Sequence, residues 1–190
     1  MGPMNGLLLE HIARYQFAMD YVQGRVLDIA TGVGYGAQLV AKAKKHKMDE
    51  MLAVDLDIEA IKYAKHKYYH PKVRYVQADV LDLELPQKLG MFDAIISFET
   101  LEHLQEEEVF MQSLYDMLNP GGTLILSTPF GNGRGEPCGS PFHVHQLNWK
   151  EFHNLFAKYE NQRFYYQRGV LIEPKRNDIH YPIGIAVCKK

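Results

Sequence analysis

The stretch Val26-Leu-Asp-Ile-Ala-Thr-Gly-Val-Gly-Tyr-Gly-Ala-Gln38 constrains the fold more than any other part of the chain. An apolar run, Val26 to Ile29, carries Asp28 near its end and gives way to Gly32, Gly34 and Gly36. A helical pattern follows at once. Strand, tight glycine turn and helix in succession form the crevice that parallel α/β sheets use for nucleotides. Glycines suit such a turn because a backbone without Cβ lets a ligand approach closely. Asp55 lies 19 residues beyond Gly36 (55 − 36 = 19), at the end of a second apolar run, Met51 to Val54. A carboxylate there can accept from both hydroxyls of a ribose. The competing role for it, capping a helix that starts at Ile58, falls equally well to Asp57.

The rhythm continues along the chain. Leu8, Ile12, Tyr15, Met19 and Val22 recur at helical spacing, which predicts a first amphipathic helix ending near Gly24. Further strands are expected at Val73 to Val76, Phe92 to Phe98 and Thr123 to Ser127. Helices are expected at Ala37 to Lys45, around Ile58 to Tyr68, and at Gln105 to Leu118, the last stopped by Asn119-Pro-Gly-Gly122. After the Gly/Pro-rich stretch Pro129 to Pro141, Asn148 and Glu151 read as a capping box for a helix reaching about Tyr159. Gln162 to Gln167 and Ile183 to Val187 close the chain as two strands with no helix between them, so they should pair antiparallel. Helices alternating with strands imply a parallel sheet covered on both faces.

At 190 residues, 46% hydrophobic and 23% charged, the chain reads as one soluble domain, 1–190, with residues 1–24 as a helix capping the crevice. A formal charge of −2 gives no global electrostatic case for nucleic acid. The lysines at 42, 44, 45, 47, 62, 65 and 67 read as solvated helix faces. No apolar run is long enough to span a membrane, and Leu7 to Leu9 is too short for a secretory leader. Two cysteines, Cys138 and Cys188, suggest reduced thiols and a cytoplasmic setting. Met1 to Gly6 reads as either a cloning scar or a flexible start.

Five segments taken in order resemble the motifs of the class I S-adenosylmethionine-dependent methyltransferases. They are Val26 to Gly36, Ala53-Val-Asp55, Gln77-Ala-Asp79, Phe92-Asp-Ala-Ile-Ile-Ser-Phe-Glu-Thr-Leu-Glu-His-Leu104 and Leu118-Asn-Pro-Gly-Gly-Thr-Leu124. The resemblance implies a three-layer Rossmann-like α/β sandwich with a seven-stranded, mostly parallel sheet whose last strand is antiparallel. It implies S-adenosylmethionine as cofactor, with the turn residues Ala30, Thr31, Gly32 and Gly34 at its methionine part. Asp55 and Leu56 would meet the ribose, and Asp79 and Val80 the adenine. Asp28 would orient the turn and the cofactor's amino group, and Phe98 and Glu99 would line the methionyl end. Arg14 or Tyr15, on the covering helix, would meet the cofactor carboxylate. Ala30 stands where the family has its first loop glycine, which an alanine can do while keeping negative φ.

The acceptor side is less marked. His103 and His143 are the candidate bases for a hydroxyl acceptor, since an imidazole takes a proton near neutral pH. Their alternative roles are to shape the pocket and to bond loop backbone. Cys138, His143 and His145 are irregularly spaced for a metal, and no metal site is expected. The reading is a small-molecule methyltransferase acting on a hydroxylated acceptor, a sugar being one candidate class, without nucleic acid or membrane partners and with a homodimer as the candidate assembly. Its alternatives are a nicotinamide-dependent oxidoreductase on a similar crevice and a protein that holds the cofactor without transferring the methyl.

Overall fold

The computed structural model describes residues 5–190; Met1 to Met4 lie outside the described residues. Asn5 caps α1 (Gly6–Ala18), its side chain accepting from Leu8 N at 3.3 Å.

The chain then alternates β1 (Gly24–Ile29), α2 (Tyr35–Lys44), β2 (Met48–Asp55), α3 (Ile58–Lys67), β3 (Val73–Gln77), α4 (Leu85–Leu89), β4 (Phe92–Phe98), α5 (Glu107–Asp116) and β5 (Leu118–Pro129). After a long loop come α6 (Trp149–Asn154), β6 (Glu160–Arg168), β7 (Leu171–Glu173) and β8 (Ile183–Lys189). All the strands form one sheet in the order β3-β2-β1-β4-β5-β8-β6-β7. The first five are parallel, and β8 runs antiparallel to both β5 and β6.

The sheet has eight strands rather than the expected seven. Gly169 takes a left-handed φ of +57° and folds the chain back, so β7 pairs with the end of β6. Three residues are too few to show a period-2 pattern, which is why sequence reading passes over β7. Three helices are shorter than expected, the first being α1, which ends at Ala18 and passes into turns over residues 19–21 instead of reaching Gly24. α5 ends at Asp116, and the Asn119 to Gly122 segment joins β5, where Gly121 N donates to Lys190 O and Lys190 N to Gly122 O. α6 ends at Asn154, and the Gln162 side chain donates to Phe156 O and Tyr159 O just beyond it. The capping box of Asn148 and Glu151 is present as expected.

Strand alternation divides the core. Leu27, Ile29, Leu52, Val54, Ile95 and Leu126 face α5 and α6. Val26, Met51, Ala53, Ala94 and Ile96 face α1, α2 and α3. Asp28 shares the face of Val26, because side chains two apart on a strand point the same way. That parity sends an acid into the α1–α2 side of the core. Among the described residues no helix is long and apolar enough to cross a membrane.

Candidate active site

The strand order reverses between β1 and β4, and ligands of open α/β sheets bind outside the carboxyl ends of the strands at such a switch point. Both flanking strands end in a left-handed residue that is not glycine: Ala30 at φ +59° and Glu99 at φ +52°. Ala30 therefore corrects the expectation of a negative φ. The turn demands it, since Thr31 N must reach Val54 O at 2.8 Å and Gly32 N must reach Asp55 Oδ2 at 2.7 Å. A left-handed L-residue costs about 1–2 kcal/mol, and strain of this kind collects at functional sites.

The three glycines do different work. A Cβ on Gly32 would meet nothing within 4 Å, so its backbone is open to the crevice. A Cβ on Gly34 would press on the Tyr75 ring and on Ala64 at 2.6–2.7 Å. At Gly36 it would sit 2.0 Å from the Tyr15 ring. Protein, rather than ligand, fills the space that the second and third glycines leave.

Tyr15 is fully buried there, and its hydroxyl donates to both Asp28 oxygens at 3.1 Å. Thr31 Oγ1 donates to Asp28 Oδ2 at 2.6 Å. Burial pushes the Asp28 carboxyl up to about 7, against the pull of the Thr31 and Tyr15 hydroxyls. Burial and the neighbouring Asp28 hold the Tyr15 phenol well above its ordinary range. Tyr15 thus packs beneath the turn and braces Asp28, while its ring meets Phe98 edge-on with centroids 5.1 Å apart.

Asp55 ends β2 as expected, its two oxygens accepting from Gly32 N and, at 2.9 Å, from Asp57 N. Asp57 caps α3, accepting from Glu59 N. A carboxylate has about four lone-pair sites, so each Asp55 oxygen keeps room for another donor. Leu56 is exposed beside it. Asp79 is exposed past the end of β3 and accepts from Leu81 N at 2.9 Å, while Val80 is buried. Leu56, Gln77 and Asp79 border a cavity of about 550 Å³ that continues toward Arg25, Arg74 and Lys88 at the other end of the strands.

On the other side of the crevice, a cavity of about 420 Å³ lies between α1 and the ends of β4 and β8, bordered by His11, Arg14, Tyr35, Glu99 and Ile183. Arg14 is buried; its Nη1 donates to Gln167 Oε1 at 2.8 Å, and its Nε has no hydrogen-bond partner among the described residues. Gln167 is fully buried and donates in turn to Glu10 O at 2.9 Å and Gly169 O at 2.7 Å, tying α1 to β6. Sequence reading missed Gln167. The available clue was a polar residue on a closing strand, which when buried demands partners. His11 bonds the Tyr35 hydroxyl, and burial together with the Arg14 charge lowers its imidazole to about 4.

The third wall carries His103 and His143, brought together with ring centroids 5.1 Å apart. His103 ends the 3-10 turn Leu101–His103 after β4, and its Nδ1 lies 2.8 Å from Phe142 O. A carbonyl only accepts, so Nδ1 bears the hydrogen and Nε2 the lone pair. Glu102 beside it is 1% exposed, with Oε2 accepting from Thr128 Oγ1 at 3.0 Å and Oε1 3.9 Å from His103 Nε2. Burial and the Glu99 charge push its carboxyl up to about 8. Glu99 accepts from Ser127 Oγ at 3.0 Å. Val144 N donates to Glu102 O at 2.8 Å and Cys138 Sγ to His143 O at 3.0 Å, which dock the His143 loop against the turn. The grouping of Cys138, His143 and His145 does not form. Cys138 spends its thiol on backbone, and His145 turns to Glu107, 3.3 Å away.

The arrangement suits a cofactor carrying ribose and a charged amino-acid end. Gly32 offers open backbone, Asp55 spare acceptor capacity, and Arg14 a buried Nε that no described residue pairs. Comparison with known proteins agrees. Residues 27–126 match the family model described as a methyltransferase domain. A Mycobacterium tuberculosis protein described as an S-adenosylmethionine-dependent methyltransferase is 34% identical over 134 residues, 68% of this chain and 46% of that protein. The ubiquinone biosynthesis O-methyltransferase of Xanthomonas campestris is 34% identical over 115 residues, 58% of this chain and 48% of that protein. The chain spans about half the length of these curated relatives. The methyltransferase domain of a bacterial Hen1 protein superposes with a TM-score of 0.72 at 20% identity, covering 96% of this chain and 98% of that one. These matches set aside the nicotinamide alternative: the chain belongs to the S-adenosylmethionine-dependent methyltransferase family, with S-adenosylmethionine as its cofactor.

Proposed function

We propose that this chain methylates a hydroxyl group of a small-molecule acceptor. The observation that carries the reading is the pairing of His103 and His143, ring centroids 5.1 Å apart, just beyond the end of β4. The bound cofactor supplies an electrophilic sulfonium methyl. The residues of the chain align the acceptor and keep water out. Gly32 and Thr31 would hold the methionine part, Asp55 and Leu56 the ribose, and Asp79 and Val80 the adenine edge. Arg14, with its free buried Nε, fits the cofactor carboxylate. Tyr15 acts on the cofactor through Asp28, whose carboxylate it braces. Phe98 and Glu99 border the methionyl end.

A hydroxyl must lose its proton as it attacks, which calls for a base near neutral pH. His103 offers the lone pair of Nε2, fixed by its bond to Phe142 O. Burial and the charge of His103 lower His143, which keeps it neutral and able to accept. Two of the curated relatives, the ubiquinone biosynthesis enzyme and a malonyl-[acyl-carrier protein] enzyme of Priestia megaterium, are O-methyltransferases by name, which supports a hydroxyl or carboxyl oxygen as acceptor. The α1 helix would cap the cofactor, and the loop from Gly131 to Gln146 would frame the acceptor mouth.

The test is an acceptor screen with cofactor carrying a ¹³C-labelled methyl, scored by S-adenosylhomocysteine release. NMR of the product then assigns the methylated atom. An O-methyl resonance is expected. Products methylated only on nitrogen or carbon would overturn the reading.

A further inference from the structure

We propose that Glu102, His103 and His143 form a binding site for a first-row divalent cation, which takes the acceptor hydroxyl as a further ligand. The acceptor half of this statement rests on the hydroxyl reading above; the cation site itself does not.

One ligand atom from each of the three side chains lies within 4.8 Å of the other two. Each is oriented by a second partner, the arrangement that metal ligands ordinarily show. His103 Nδ1 donates to Phe142 O and so turns the Nε2 lone pair toward Glu102. The Thr128 hydroxyl holds Glu102 Oε2, which aims Oε1 at His103 Nε2. His143 has the Gln146 side-chain amide 3.1 Å from Nδ1. Turned by 180°, that amide presents its oxygen to an Nδ1–H, and His143 Nε2 becomes a donor to metal.

Burial supplies an independent reason. Glu102 is 1% exposed, with Oε2 held by the Thr128 hydroxyl and Oε1 turned to His103. Buried carboxylates are ordinarily paired with a cation or bound to a metal. The fold places two imidazoles beside this one, His103 and His143. The two partners are free to adjust: His103 is 43% exposed, and His143 lies on a loop. Contraction of the cluster by about 1 Å brings the donors to the ~2.0–2.2 Å bonds that such ions form.

Two imidazoles and one carboxylate suit zinc, manganese, iron(II) or cobalt better than magnesium or calcium, which prefer oxygen alone. Three protein ligands leave positions open. A hydroxyl bound there releases its proton to water more readily than a free one. Its oxygen lone pair then forms the new C–O bond while the S–C bonding pair returns to sulfur. In this state the histidines are ligands and take up no proton.

The experiment titrates the chelator-stripped full chain with Co²⁺, followed by calorimetry and by visible absorption of the bound ion. One equivalent per chain is expected, with an absorption band absent from free Co²⁺. His103→Ala and His143→Ala should each weaken binding ~10-fold or more, the scale on which metal sites respond to loss of a supporting group. Glu102→Gln, which keeps shape and packing, should do the same with an unchanged circular-dichroism melt. His66→Ala, an exposed histidine on α3, should bind as wild type. Failure of the wild type to bind, or equal affinity in all three site variants, would overturn the cation site. If O-methyl product forms at full rate in excess chelator, the cation's part in transfer falls while the histidine-base reading stands. If Co²⁺ binds as expected but the methyl is found on nitrogen or carbon, the acceptor half falls and the cation site stands.

Discussion

Gly36 gives the sharpest test of how the glycine turn is built. In Gly36→Ala the new Cβ would lie 2.0–2.5 Å from three atoms of the Tyr15 ring. Carbon contacts settle near 3.5–4.0 Å, so the ring must move by about 1.5 Å. Overpacking of this kind costs ~1–3 kcal/mol. The movement also breaks the Tyr15 hydroxyl's bond to Asp28, now 3.1 Å long, and a bond to a charged partner is worth ~1.5–3 kcal/mol. Alanine returns about 1 kcal/mol over glycine within α2, which leaves a net loss of roughly 1.5–5 kcal/mol. In a Tyr15→Ala background the obstruction is gone, and Gly36→Ala should be neutral or stabilising by up to ~1 kcal/mol. Urea denaturation of the four proteins, without cofactor, closes the double-mutant cycle. Equal cost in both backgrounds would refute the packing role. So would unchanged stability combined with weakened S-adenosylhomocysteine binding, since Gly36 would then be serving the ligand.

Three further outcomes are expected. Asp55→Ala should weaken S-adenosylhomocysteine binding by ~1.5 kcal/mol or more, the scale of a hydrogen bond to a charged group; calorimetry checks this, with Asp57→Ala, which only uncaps α3, retaining affinity at a stability cost of ~1 kcal/mol. The Asp28 pKa is raised from 3.8 to about 7, so the folded state holds a proton that the unfolded state has lost. Its contribution to stability is therefore full below pH ~4 and declines as pH rises through 7. His11, lowered from 6.5 to about 4, acts in the opposite sense, so the diagnostic is the difference between wild type and Asp28→Asn, whose stability should fall less between pH 4 and 7; parallel curves would exclude Asp28 as the source. Gln167→Leu should release α1, seen as faster amide exchange over residues 6–18 with β4 and β5 still protected; uniform loss of protection would mean that α1 is not a separate unit.

The parallel half of the fold is legible because its apolar strands end in glycine, aspartate or a helix cap. Val26 to Ile29 and Phe92 to Phe98 are strands as their composition demands. Asp55 ends β2 and His103 closes the turn after β4, the chain positions that their motifs give them. The five-residue α4 and three-residue β7 are too short for any periodicity to declare them. Ala30 was legible as a substitution but not as a left-handed residue, because two long-range hydrogen bonds from Thr31 and Gly32 decide its conformation. Gly36 was read as room for a ligand. Only a contact with Tyr15, 21 residues earlier (36 − 15 = 21), shows that a side chain occupies the space. Gln167 was silent for the same reason, as its partners are Arg14, Glu10 and Gly169.

The bond between Arg14 and Gln167 joins residues 153 apart. During synthesis α1 leaves the ribosome well before β6, the strand that anchors it. The glycine turn and the β1–β2–β4 frame can assemble well before that strand exists. The helix that packs on the turn through Tyr15 must wait for β6. A nascent chain can therefore present an open crevice but not a braced one. A product truncated before β6 would lack the anchor that holds α1 over the turn.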